Sequence, residues 1–281
     1  MTGSTAPPRR LFRSGPRRVL LPIAALCIAL ILWEWAVIAF HVRPFVLPRP
    51  SEVIVALVTQ ANVLLPAALA TGEEIVLGFL IAVLVAVPLA VALTSARWIE
   101  DTLFPLIVSA QLVPKVALAP LLTVWLGLGI LTKLTVAFLL SFFPILIDMM
   151  IGLKSVEMGK VHLARSMGAG RARMFFKITL PSALPNLFGG LKVASTLAVV
   201  GAIVGEFIGA NVGLGDVLLV ANSNFDMVMN FAGITYLTVI GIMLFAVIDA
   251  IERLAIPWHV SHRRLFEERM PRRPPALATE E

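Results

Sequence analysis

Six apolar stretches of about twenty residues dominate this 281-residue chain. Segments of that length and character fit a lipid bilayer, where only a helix satisfies its own backbone polar groups. They run roughly over residues 19–40, 75–93, 103–125, 130–153, 187–210 and 231–251. The third holds Pro105, Pro114, Lys115 and Pro120, which predicts a broken helix or two short ones. With 59% hydrophobic and 14% charged residues and a mean hydropathy of +0.93, the composition excludes a water-soluble enzyme domain and a disordered or collagen-like chain. The expected fold class is an all-α membrane protein with six transmembrane helices.

Basic residues orient the spans. Placing the N-terminus in the cytoplasm puts there Arg9, Arg10, Arg13, Arg17 and Arg18, then Arg97. Lys154, Lys160, Arg165, Arg171, Arg173 and Lys177 follow on the same side, and then Arg253, Arg263, Arg264, Arg269, Arg272 and Arg273. The opposite side keeps Arg43 and Arg49, while Lys115, Lys133 and Lys192 lie within or near spans. Both termini are therefore expected inside a bacterial cell membrane. The net charge of +6 reads as basic flanks beside anionic lipid, not as a nucleic-acid groove. The first apolar run is too long for a signal peptide and lacks a small-residue cleavage site, so it is read as a retained span.

Four regions follow. Residues 1–18 form a disordered cytoplasmic N-terminus, and 19–62 the first transmembrane helix with an outer segment. Residues 63–258 make the core, and 259–281 a cytoplasmic tail. Within the outer segment, residues 51–62 read as a helix with Ser51 as N-cap and Glu52 in its first turn. Residues 211–230, polar and glycine-punctuated around the apolar run 217–220, read as a small external helix or an interfacial re-entrant one.

The loop at 154–186 exceeds what a turn between spans requires. Leu163, Ala164 and Met167 share one helical face, as do Met174, Phe175 and Ile178, with basic residues between them. Gly168 and Gly170 suit a left-handed turn ending a short helix, and Pro181 is expected to stop a second helix before the chain re-enters the membrane at Leu187.

The spacing Gly168, nine residues, Ile178, one residue, Leu180-Pro181 resembles the "EAA" loop of ABC importer permeases, which reads E-A-A, three residues, G, nine residues, I, one residue, L-P. Here His162-Leu163-Ala164 stands in place of E-A-A, so the first two positions depart from the pattern. The segments 113–121 with 125–129, and 205–210 with 213–215, are similar to the nitrate/sulfonate/taurine branch, which also resembles permeases for vitamin precursors. The resemblance implies the type I ABC importer permease fold. It makes His162, Leu163, Ala164, Gly168, Ile178, Leu180 and Pro181 the ATPase-coupling residues. It further implies a homodimer, two cytoplasmic ABC ATPase subunits that carry the ATP and Mg, and an extracytoplasmic substrate-binding protein. This chain would bind no cofactor itself.

Lys115 beside Pro114, Gln111 one turn earlier and Glu206 are the candidate pathway residues. Glu206 also suits a bond into a neighbouring span or the 213–215 loop. Lys192, on the same predicted helix, lies about 21 Å from it and belongs near the inner edge. Glu34 and Asp148 near span ends read as structural, and Met149 and Met150 as packing residues.

No catalytic or metal site is expected. A Walker A loop is missing, Cys27 is the single cysteine, and His41, His162, His259 and His262 are scattered. The reading is a permease importing a small anion such as a sulfonate, taurine or nitrate. A thiamine or riboflavin precursor is the alternative cargo. An ion-coupled secondary transporter and a membrane-embedded enzyme are the rivals from other classes.

Overall fold

The computed structural model describes residues 17–209 and 212–257, and all the regular structure among them is helical. The predicted tails, with His259 and His262, lie almost wholly outside the described residues. Helix α1 (Arg17–Ala39) is followed by the short α2 (Pro50–Thr59) and the long α3 (Ala61–Leu93). Next come α4 (Arg97–Gln111), a 3₁₀ turn (Lys115–Leu118), α5 (Ala119–Leu126) and α6 (Ile130–Lys154). The loop holds α7 (Met158–Ser166), α8 (Arg171–Met174) and a π turn (Phe175–Thr179) leading into α9 (Leu180–Gly209). Helices α10 (Leu214–Ser223) and α11 (Met227–Ala255) complete the chain.

Among the described residues five helices are long and apolar enough to cross a membrane, and the pair α4 and α5, bent by 77° at its break, is a sixth candidate span. The proline-rich third stretch is thus two short helices. Pro114 cannot donate a hydrogen bond, and the chain turns there through a 3₁₀ segment.

Three boundaries differ from the sequence reading. The second span begins at Ala61, not at residue 75, so Thr71, Glu73 and Glu74 are inside a helix. Helix α2 starts at Pro50 with Arg49 as its N-cap; the Ser51 hydroxyl and amide instead donate to the Glu34 carboxylate of α1 at 2.8 and 3.1 Å. Proline is favoured at the first helical position because its missing N–H has no partner there, which moves the N-cap two residues upstream. Pro181 does not end a helix, since residues 171–209 run continuously through the π turn. There the Leu180 amide reaches back to the Phe175 carbonyl, and the widened turn makes room for the proline ring.

The core is a three-helix stack of α3, α6 and α9. In lipid the hydrophobic effect does not press helices together, so close contact through small residues must. A Cβ on Gly78 would lie 2.6 Å from the Ala137 side chain, one on Gly201 2.6 Å from the Ala137 Cα, and one on Gly205 2.8 Å from the Lys133 Cα. Ala82, Ala86, Ala90, Ala194, Ala198 and Ala202 are all fully buried. Helix α5 packs Ala119 and Leu122 against Val136 and Leu140 of α6, while α4 covers a different side through Leu103, Leu106 and Ile107 near Phe142 and Leu146.

Gly201→Val forces backbone against backbone and should cost about 3 kcal/mol. A clear fall in unfolding temperature in detergent is expected. Gly72→Ala, whose Cβ would meet nothing within 4 Å, should leave that temperature unchanged or slightly raised.

Candidate functional site

Two regions concentrate the polar chemistry, one at each end of the bundle. The end holding residues 155–170 is the loop end; the end holding α10 is the far end.

At the loop end α7 projects from the bundle. Its C-terminus closes in a Schellman motif: the Gly168 amide donates to the Arg165 carbonyl at 2.9 Å and the Ala169 amide to the Ala164 carbonyl at 3.0 Å. Gly168 has φ +76°, the left-handed conformation this closure requires, and a Cβ there would touch nothing. The glycine is needed for its backbone, not for space. Gly170 has φ −69° and instead serves as the N-cap of α8.

The face of α7 that bears Leu163 and Met167 is 63% and 76% exposed at those residues, and His162 is exposed as well. Ala164 is the residue of α7 that packs inward. Between α7 and the start of α9 lies a groove of about 930 Å3, with Leu163, Met167, Ile178 and Pro181 on its apolar wall and Lys160 and Lys177 among its basic residues. Of the motif residues, Leu163, Ala164, Ile178 and Pro181 therefore line one groove, whereas Leu180 packs against the core and Gly168 shapes the turn. Ion pairs brace the same end: Lys154 with Glu100, and Lys192 with Asp249 at 2.6 Å and Glu252 at 2.5 Å.

At the far end Glu206 is fully buried. One carboxylate oxygen accepts from the Thr71 hydroxyl at 2.6 Å and the other from the Gly215 amide at 2.5 Å. Thr71 Oγ1 in turn accepts from the Leu214 amide at 2.8 Å. Glu206 thus holds the first turn of α10 against α3, and the sequence alternatives for its partners are both realised. Gly213, at φ +131°, and Gly215 lie where any Cβ would overlap the Glu206 side chain.

Beside this latch Lys133 of α6 donates to Glu74 Oε1 at 2.6 Å and to the Val212 carbonyl at 3.1 Å. The Lys133–Glu74 pair is more than nine-tenths buried on both sides. Glu74 Oε2 has no hydrogen-bond partner among the described residues. Sequence reasoning missed this pair. The signal was present, since a lysine inside an apolar stretch demands a partner, but with the second span begun at residue 75, Glu74 stood outside any helix.

The remaining candidates, Gln111 and Lys115, meet at the break between α4 and the 3₁₀ turn. Lys115 Nζ donates to the Gln111 carbonyl at 2.7 Å and stands 4.5 Å from the Phe143 ring centroid. Neither is among the partners of Glu206. Among the described residues no cluster of three metal-ligating side chains occurs.

Five helices long and apolar enough to span a membrane, a bent sixth candidate and a projecting helix with a free apolar face define a polytopic helical membrane protein among the described residues. Residues 75–258 match the binding-protein-dependent transport system inner membrane component family. The chain belongs to this family, the permeases of ABC importers. It is 34% identical to the formylaminopyrimidine transport permease of Halalkalibacterium halodurans, over 86% of this chain and 96% of that one. It is also 34% identical to the riboflavin transport system permease of Chloroflexus aurantiacus, over 86% and 90%. The taurine transport system permease of Escherichia coli is 30% identical over 86% and 91%.

Removing Lys133 strands a buried carboxylate. Lys133→Met should cost about 3–5 kcal/mol, and adding Glu74→Gln should recover a large part of it. Unfolding temperatures of the two singles and the double, in one detergent, give the coupling directly.

Proposed function

We propose that two copies of this chain form the membrane pathway of an ATP-driven importer, with both termini in the cytoplasm and the 154–186 loop facing an ATPase dimer there. The observation that carries this reading is α7. A short helix closed by a glycine turn, with Leu163 and Met167 exposed beside an apolar groove, has a face suited to burial in a partner. Because α7 is tied through the π turn to the continuous helix 171–209, a displacement of α7 acts on a spanning helix. ATP and Mg belong to the ATPase chains, whose closure would turn the pathway outward to receive cargo from a substrate-binding protein. Helix α10, held by the Glu206 latch at the opposite end, is the natural contact for that receptor.

For the cargo we infer a neutral, hydrogen-bonding heterocycle of the vitamin-precursor class, in preference to a small anion. Lys115 is engaged by the Gln111 carbonyl and the Phe143 ring, Lys133 by Glu74, and Lys192 by Asp249 and Glu252. Lys133 and Lys192 are thus neutralised by carboxylates, and of the three only Lys115 keeps an unbalanced charge, which weakens the case for an anion site. The relatives that carry formylaminopyrimidine and riboflavin by name support the same reading. The 30% likeness to a taurine permease keeps a sulfonate as the second one.

ATPase activity in vesicles holding this chain, its ATPase and its receptor tests both parts. Stimulation by an aminopyrimidine or a flavin, with none by taurine or nitrate, is the expected result. Failure to associate with any ATPase would overturn the importer reading. Gly168→Val strains the turn by about 1–2 kcal/mol and misdirects α7. It should leave membrane insertion intact while cutting receptor-stimulated ATP hydrolysis at least about tenfold; normal stimulation would remove the coupling argument.

A further inference from the structure

Three acidic residues of the spanning helices, Glu73, Asp101 and Asp148, have no partner among the described residues, and of Asp101 and Asp148 only the second is removed from solvent. Asp148 is half-buried on α6, yet makes no hydrogen bond or ion pair with any described residue. Glu74, Glu206, Asp249 and Glu252 all have partners there. Glu73, also unpaired, lies only about 18 Å from the start of α3. At about 49 Å that helix is far longer than the hydrocarbon slab, so Glu73 falls at its far-end boundary.

The surroundings of Asp148 are those of an open crease. A Cβ on Gly190 of α9 would lie 2.8 Å from the Asp148 Cβ and 3.0 Å from its Oδ2, so the two helices all but touch there. Next to it, Gly189 is exposed and faces open space. Toward the far end the same crease is covered by α5, which packs on Val136 and Leu140 of α6 with Leu197 and Val204 of α9 alongside. One and two turns nearer the loop end, those faces become Pro144 and Asp148 on α6, and Val193 and Gly189 on α9. The packing of α5 involves none of these four residues, although the 3₁₀ turn before it brings Lys115 Nζ to 4.5 Å from the Phe143 ring. Helix α4 does not cover them either, since it packs along α3 and the Phe142–Leu146 side of α6. Asp148 lies six residues, about 9 Å, before the end of α6, and since that helix at about 37 Å exceeds the hydrocarbon slab, the carboxylate stands near the loop-side boundary. An ionisable group in that position faces a water-filled cavity more favourably than lipid.

We propose that Asp148 lines the loop-side mouth of the transport pathway and selects there for cargo that offers N–H donors or positive charge, against anions. The selectivity half of this inference rests on the transport reading above and narrows its cargo class. An aminopyrimidine presents such donors to a carboxylate, whereas a sulfonate or nitrate meets like charge at the exit.

The placement can be tested without knowing the cargo. In the complex with its ATPase, a Cys27→Ala, Gly189→Cys chain is treated with charged thiol reagents from the loop side. Labelling without nucleotide and at least about tenfold protection in the ATP–vanadate state are expected for a pathway residue that closes. A cationic reagent should react about tenfold faster than an anionic one, and Asp148→Asn should bring that ratio toward one. Labelling that is equal in both nucleotide states, or a charge ratio untouched by Asp148→Asn, overturns the placement.

Uptake of a labelled aminopyrimidine and of taurine by the full transporter then tests selectivity. Asp148→Asn should lower aminopyrimidine uptake at least about fivefold while the complex assembles normally; unchanged uptake refutes the selective role. If the wild-type transporter carries taurine and neither an aminopyrimidine nor a flavin, the cargo reading falls. The labelling result still decides where Asp148 stands.

Discussion

The close approach of α6 to α9 is the constraint on which the rest depends. Lipid gives two helices no hydrophobic reason to associate, so they hold together through dispersion and weak polar contacts that act only at short range. Gly201, Gly205, Gly190 and Gly152 remove side-chain bulk along the whole contact, and the Ser141 hydroxyl, which donates to the Ala137 carbonyl of its own helix at 2.8 Å, also lies 3.2 Å from the Ala194 carbonyl across the interface. With the backbones this near, Lys133 at one end and Asp148 at the other are brought to the positions where each has its effect.

Polar groups then pin each end of that stack. At the far end two adjacent buried clusters, Glu206 with Thr71 and Gly215, and Lys133 with Glu74, join α3 to α9 and α10, and α3 to α6. At the loop end Lys192 joins α9 to α11 and Lys154 joins α6 to α4. Between these clamps the contacts are mostly small and apolar, which suits helices that must move as stiff bodies. The projecting α7 is attached to this frame through the π turn and offers it a handle.

Much of the architecture was legible because bilayer physics writes it into composition. The apolar stretches, the break at Pro114, the short helix around 217–220 and the glycine turn at Gly168 all appear as local patterns with local causes. The misreadings were local too. Glu73 and Glu74 made the start of α3 look polar, although Glu74 is neutralised by Lys133, 59 residues away. Pro181 looked like a stop because a periodic pattern does not reveal a π turn that accommodates it.

The sequence by itself determined that the chain is an all-helical membrane protein, where its apolar runs lie and where a glycine-closed helix sits between two of them, since each follows from the run length and spacing of neighbouring residues. Only the tertiary structure decided which charged groups are consumed in holding the bundle together and which are left over. Thr71 meets Glu206 across 135 residues of chain, whereas Asp148 packs on Gly190 without a hydrogen-bonding partner among the described residues. Such pairings depend on how far each helix is rotated and shifted against its neighbours. A few ångströms of that adjustment, set by glycine contacts between distant segments, separate a structural ion pair from an unpaired carboxylate in an open crease.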